Sequence, residues 1–266
     1  GDYVSFEKNK EGTAFISDVD NRRNYIIRKA SNLSKQSHIL AANIDMCLLV
    51  VTLREPVTLP VFIDRLLATA EAYSVDVAIA INKADLLDAD GYDAALEMAR
   101  MYESIGYKTY ITSVLQDRGL DCLAGDLKNK VTLLAGNSGV GKSALLNRLV
   151  PTANARTSSI SAAHLAGMHT TTFSAMYDLP GGGALIDIPG VKGFGTFNFE
   201  KEEVSHYFRE IFKVGRGCRF DNCIHVNEPG CAVLEAVKKG EIALSRYNSY
   251  LNMLDDKEEG KYRSGY

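Results

Sequence analysis

The pattern Gly136-Asn137-Ser138-Gly139-Val140-Gly141-Lys142-Ser143 constrains this chain more than any other feature, and it arrives late, well after the tetrapeptide Asn82-Lys83-Ala84-Asp85. Ahead of it, Val131-Thr132-Leu133-Leu134-Ala135 is a short apolar run that reads as a buried strand, and residues 143–150 behind it read as a helix. Strand, glycine-rich turn and helix N-terminus together aim several backbone N–H groups and a positive dipole end at one spot, which suits a polyphosphate. Lys142 is placed to reach the outer phosphates, and the Ser143 hydroxyl to bind Mg²⁺. Residues 136–143 and the following Ala144 form the candidate phosphate-binding set.

The tetrapeptide decides which base such a phosphate site would serve. The Asp85 carboxylate can accept hydrogen bonds from the N1–H and exocyclic amine of guanine, whereas adenine offers no such donor pair. Asn82 is expected to contact the purine and tie neighbouring loops together, and the aliphatic stem of Lys83 to lie against the base. The run 75–81 is the strand that presents them. Ser113 and Val114, in Thr112-Ser113-Val114, follow another strand-like run and are expected to close over the guanine. Asp187-Ile188-Pro189-Gly190 ends the apolar run 184–186, which places Asp187 to hold a Mg²⁺-bound water and the Gly190 N–H to touch the γ-phosphate. Upstream, Gly167-Met168-His169-Thr170-Thr171-Thr172 offers a further Mg²⁺ ligand, with Thr171 preferred from its spacing to Asp187. The base-reading motif therefore precedes the phosphate loop, which leaves one topologically rearranged GTPase class. A P-loop kinase is disfavoured, because the tetrapeptide has no task in an ATP phosphotransferase.

A second constellation lies near the C-terminus. Cys218, Cys223, His225 and Cys231 give C-x4-C-x-H-x5-C, three thiolates and one imidazole, which fill a tetrahedral Zn²⁺ shell and leave no place for water. The zinc is therefore read as structural, holding a region too thin in apolar residues to fold reliably alone. Five cysteines without a secretory signal, in a chain bearing a cytosolic switch, argue for reduced thiols and a cytoplasmic protein. Cys47 and Cys122 sit in apolar surroundings and are expected in the core.

With 266 residues, 46% hydrophobic and 24% charged, there is room for a main domain and one or two small ones. No apolar run is long enough to span a bilayer, so no membrane contact is expected. A net charge of −3 does not advertise nucleic-acid binding, and no DNA contact is expected. RNA contact would have to come from local patches such as Arg22, Arg23, Arg28, Lys29 and Lys35, and a solvated charged surface explains that stretch equally well. The region from 201 onward carries acidic and basic side chains in equal measure.

Along the chain, residues 1–43 alternate short strand-like runs (13–19, 25–28) with Gly/Asn/Asp turns, a small β unit. Apolar strands at 44–53, 75–81, 108–113, 131–135 and 184–188 then alternate with helical stretches at 59–72, 91–105 and 142–150. This predicts an α/β domain with a doubly wound, mostly parallel sheet and ligands at the strand C-termini. Pro180-Gly181-Gly182-Gly183 between residues 171–179 and 184–188 reads as a hairpin adding an antiparallel edge. Helices are expected at 202–213, 231–239 and 242–254, and a frayed tail at 257–266.

Taken together, Asn82–Asp85, the 136–143 loop, the 167–172 segment, Asp187–Gly190, the Cys/His set and Ala42-Asn43-Ile44-Asp45 resemble the circularly permuted, ribosome-associated GTPases called RsgA or YjeQ, over practically the whole chain. The resemblance implies three domains: a partial OB-like β-barrel at 1–43, a circularly permuted P-loop GTPase domain at 44–198 and a helical zinc-binding domain at 199–266. By that comparison Gly1-Asp2-Tyr3-Val4 looks like the middle of the barrel. It also implies a late role in maturing the small ribosomal subunit, through that subunit and its rRNA, with GTP hydrolysis to GDP stimulated by the particle. A monomer is expected.

For hydrolysis, the catalytic candidates are Lys142, which supplies charge, and His169. The position after Asp187–Gly190 where many GTPases orient water with a Gln reads Val191-Lys192, so that amide is absent. His169, beside the switch threonines, is the candidate to replace it, and the resemblance supports that role. Permutation also runs the Asp187–Gly190 loop almost directly into the zinc region, so GTP ordering of 152–172 and 190–198 could reorient that region against the barrel. Two other readings stay open: a sensor acting by GTP occupancy with incidental hydrolysis, and a zinc-dependent RNA-binding module.

Overall fold

The computed structural model describes residues 1–9, 12–29, 37–153, 155, 174–188 and 199–259. The apolar runs of the middle of the chain pair into one six-stranded sheet built from β5 (Met46–Val51), β6 (Asp76–Ile81), β7 (Lys108–Ile111), β8 (Lys130–Ala135), β9 (Ala175–Asp178) and β10 (Gly183–Asp187). The strand order is β7-β6-β5-β8-β10-β9, and every pairing is parallel except that of β9 with β10. The inner strands β5, β6, β8 and β10 read as near-continuous apolar runs because both faces are covered, whereas the edge strands β7 and β9 are partly exposed. Cys47, Leu49 and Val51 of β5 enter one core layer, and Met46, Leu48 and Val50 enter the other. The helices α1 (Pro60–Ala72) and α2 (Ala89–Ser104) cover the first face, and α3 (Leu120–Leu127) and α4 (Lys142–Leu149) the second. Helix α1 starts on Pro60, whose missing N–H is no loss in a first turn. Helix α2 is capped by Asp88, which accepts from the Gly91 N–H at 2.9 Å.

From β5 the chain winds outward through β6 to β7, then returns to β8 on the other side of β5. The connection direction therefore reverses between β5 and β8, and a crevice opens at their C-terminal ends.

The expected N-terminal β unit appears as two antiparallel hairpins, β1 (Val4–Lys8) with β2 (Ala14–Val19) and β3 (Tyr25–Lys29) with β4 (Ser37–Ala42). The first is exposed throughout, with Phe6, Phe15 and Ile16 open to solvent. The second is anchored: Ile26 and Ala41 join the core beneath the sheet. Asp45, just beyond it, accepts from the Val131 N–H at 2.8 Å and pairs with Arg23 at 2.6 Å.

The C-terminal region forms α5 (Lys201–Val204), α6 (Arg209–Gly215), α7 (Ala232–Lys238) and α8 (Leu244–Glu259). Three expectations change, two of them in this region. The helix read at 202–213 is broken into α5, a 3₁₀ turn at Ser205–Tyr207 and α6, because Phe208 adopts an extended backbone (φ −111°, ψ 98°) that turns its ring fully into the core. Residues 257–259, read as the start of a frayed tail, continue α8, and 260–266 lie outside the described residues. Cys122 is exposed, since α3 buries Leu120, Leu123 and Leu127 and turns Cys122 off that stripe, whereas Cys47 is buried as expected.

Candidate functional site

The phosphate loop leaves β8 at Ala135 and enters α4 at Lys142. Its glycines are forced choices. Gly136 has φ 138°, and a Cβ there would strike the Val50 carbonyl of β5; Gly141 has φ 95°, and its Cβ would lie 2.5 Å from Asn82 Nδ2. Asn137 and the start of α4, including Ser143 and Ala144, are half-buried, Val140 is sealed, and Ser138 and Gly139 face solvent. Lys142 folds back over the loop, donating to the Gly136 carbonyl at 2.8 Å and the Asn137 carbonyl at 2.6 Å. Burial pulls its pKa down while Asp187 opposes that shift. Asp187 ends β10, where burial pushes its carboxyl above the ordinary range and Lys142 opposes.

The base-reading tetrapeptide leaves β6 alongside. Asn82 is 3% exposed, and its side chain is used within the protein: Nδ2 donates to the Val140 carbonyl at 2.9 Å, and Oδ1 accepts from Thr112 Oγ1 at 3.0 Å. It ties loops together as expected. Lys83 is left-handed (φ 60°), and Asp85 lies in a short 3₁₀ turn. The Ser113 hydroxyl donates to the Asp85 carboxylate and accepts from the Gln116 N–H at 3.1 Å. Val114 packs against the core. Thus Asn82, Lys83, Asp85, Ser113, Val114, the 136–144 segment and Asp187 gather at one end of the sheet. His169, Thr171 and Gly190 lie outside the described residues.

The cysteine–histidine set also comes together: the four ligand atoms lie within 4.8 Å of one another, although they span a loop and the start of α7. The Cys218 and Cys231 sulfurs are 3.8 Å apart, and each is 3.5 Å from His225 Nδ1. A tetrahedral centre with Zn–S of about 2.3 Å and Zn–N of about 2.0–2.1 Å requires edges of about 3.8 and about 3.5–3.6 Å. The donor set fits a metal, and none of the five cysteines is in a disulfide. Burial pushes the Cys223 thiol up to about 12 and lowers the His225 pKa, so a bound cation is what would make the thiolates favourable.

Sequence reasoning missed what supports this cluster. Glu228 accepts from the Ile224, Val226 and Asn227 N–H groups at 2.8–3.0 Å, and Tyr250 and Tyr247 of α8 donate to the Ile224 and His225 carbonyls at 2.6 and 2.8 Å. The basic N-terminal stretch is partly committed elsewhere: Arg22 pairs with Asp2 and Arg23 with Asp45.

A phosphate loop after β8, a guanine-type tetrapeptide after β6 and a D-x-P-G strand end at β10, with the base strand earlier in the chain, define a circularly permuted P-loop GTPase. The comparisons carry this to a family. The family model described as RsgA GTPase matches residues 19–197, more than half of the chain, and the chain belongs to that family. Relatives from Phocaeicola vulgatus and Bacteroides fragilis, each called small ribosomal subunit biogenesis GTPase RsgA, are 56% identical over 266 residues, covering 100% of this chain and 86% of each relative. Crystal-structure neighbours agree. YjeQ from Thermotoga maritima has a TM-score of 0.79 at 34% identity, over 97% of this chain and 84% of that one. YloQ, titled a circularly permuted GTPase, has 0.75 at 27%, over 99% and 82%.

Proposed function

We propose that this chain hydrolyses GTP to GDP and phosphate as a biogenesis factor of the small ribosomal subunit, and that the subunit stimulates it. The names of the relatives support the biological role. The hydrogen bond from Asn82 to the Val140 carbonyl carries the chemical reading, because it joins the base-reading and phosphate-binding segments into one site that a single nucleotide can span. In this reading residues 1–43, 44–198 and 199–266 are a β unit, a GTPase domain and a zinc-binding helical domain. The protein acts in the cytoplasm as a monomer against rRNA. Among the described residues, no helix is long and apolar enough to cross a membrane.

Asp85 would accept from guanine, with Ser113 and Val114 closing that end. The 136–144 backbone would cradle the phosphates, Lys142 would leave its loop carbonyls for the outer phosphates, and the Gly190 N–H would meet the γ-phosphate. Ser143 and Thr171 would hold Mg²⁺, with Asp187 behind a bound water, and the ion would supply neutralising charge along the phosphates. His169 would orient the attacking water. Cys218, Cys223, His225 and Cys231 would hold one structural Zn²⁺.

Displacement of a fluorescent GDP tests the site. GTP is expected to displace it and ATP to fail; equal displacement by ATP would remove the guanine assignment.

A further inference from the structure

The loop between β5 and α1, residues 52–59, belongs to none of the nucleotide motifs, yet it touches two of them. We infer that this loop is a third wall of the nucleotide crevice, and that Thr52 is a positioning residue acting through Lys83. The inference rests on the nucleotide-site reading above and deepens it.

The topology places the loop where a ligand belongs. Strands β5 and β8 are parallel neighbours, with Leu48 beside Leu134 and Leu49 beside Ala135, and the winding direction reverses between them. In open α/β sheets the ligand crevice lies between the loops that leave such a pair of strands. One of these is the phosphate loop, and the other is 52–59.

The contacts agree. Lys83 Nζ donates to the Glu55 carbonyl at 2.5 Å, so the lysine of the base-reading tetrapeptide is fastened to the loop after β5. On its way the Lys83 stem passes the phosphate loop, with Cε 4.0 Å from the Cβ position of Gly141. Pro56 stands against the same loop, its Cδ 3.3 Å from the Cβ position of Gly139. Loop 52–59 therefore abuts the phosphate-loop tip and holds the far end of Lys83.

The loop is built to keep that carbonyl in place. Thr52 Oγ1 donates to the Pro56 carbonyl at 2.5 Å, the Thr58 N–H donates to the Thr52 carbonyl at 2.8 Å, and the Thr52 N–H donates to Thr58 Oγ1 at 3.1 Å. Both threonines are sealed from solvent, where an internal hydrogen bond is costly to lose. Outside this ring, Arg54 reaches across the tetrapeptide's turn to Asp88 at 2.6 Å. A lysine stem has four rotatable bonds and a large ordering cost. Fixing its ammonium on a rigid carbonyl holds the stem as a flat floor before the base arrives, which is preorganisation.

The test is a double-mutant cycle on GDP affinity, using stopped-flow release of a fluorescent GDP from the full chain. Thr52→Val is expected to weaken binding about tenfold, mainly through faster release, and Thr52→Ser to restore it. Arg54→Met, at an exposed position, is expected to weaken binding about threefold and stands in if Thr52→Val does not fold. In a Lys83→Met background, which keeps the stem and removes the ammonium, either change should add less than about twofold. A folded Thr52→Val protein with wild-type affinity, or effects that multiply fully with Lys83→Met, would overturn the inference while leaving the site reading intact. A wild-type chain that binds no GDP would overturn the site reading itself.

Discussion

Arg246 of α8 lies 2.7 Å from Asp64 of α1, with 1% and 0% of the two side chains exposed, so the C-terminal helix is bonded into a helix that covers one face of the sheet. Glu210 of α6 takes the other edge of the same guanidinium at 2.7 and 3.0 Å, Tyr102 of α2 donates to Asp64 at 2.9 Å, and the Phe208 ring lies under the cation at 4.6 Å. The cysteine–histidine cluster hangs from α8 through Tyr247 and Tyr250. Any reorientation of the zinc region on GTP binding would therefore have to carry α1 along or break a buried ion network.

Arg246→Met should destabilise the fold by about 3–5 kcal/mol, because it strands two buried carboxylates, and denaturant melts at neutral pH measure it. Burial already pushes the Asp64 carboxyl above its ordinary range, with Arg246 opposing. An acid whose folded pKa is raised is penalised above that pKa and relieved below it, so the variant's deficit should shrink as pH falls. A deficit that grows on acidification would contradict the arrangement.

Asn82→Ala removes a donor to the Val140 carbonyl and the acceptor of the Thr112 hydroxyl. About 1–3 kcal/mol of stability should go with it, and GDP affinity should drop at least about tenfold. Thermal melts with and without GDP separate the two effects; unchanged GDP protection would show that the tie between the loops does not matter for binding.

Purified chain should carry one Zn²⁺, read by elemental analysis, and Cys218→Ser should lose it. Chelation is expected to reduce the helical signal of α7 and α8, which pack on the cluster, while GDP binding persists. Loss of GDP binding on mild chelation would tie the metal to the nucleotide site instead.

His169→Ala should slow subunit-stimulated turnover by about 10²–10⁴-fold with little change in GTP affinity, as expected for a group that orients water. Full turnover in that variant would take His169 out of the mechanism.

The sheet was readable because its inner strands are apolar on both faces and its ligand loops carry fixed residue types at fixed spacing. The cysteine–histidine set was readable for the same reason. What escaped were features set by tertiary contact. Helix α3 is only eight residues long and carries Gly125, too short a stripe to stand out. Phe208 sits within a helical pattern, and only its burial explains the break there. Asp64 and Arg246 are 182 residues apart, and each reads locally as an ordinary surface charge. Loop 52–59 carries no motif; its place beside Lys83 follows from the strand order, which puts β5 between β6 and β8.

The most direct test of the central claim is GTP turnover by the chain alone and with purified small subunits, large subunits and whole ribosomes, with Lys142→Ala and ATP as controls. The account predicts slow turnover alone, strong stimulation by small subunits, and none with ATP or Lys142→Ala. Tight GTP binding with no stimulation by any particle would contradict it and favour a sensor that acts by occupancy.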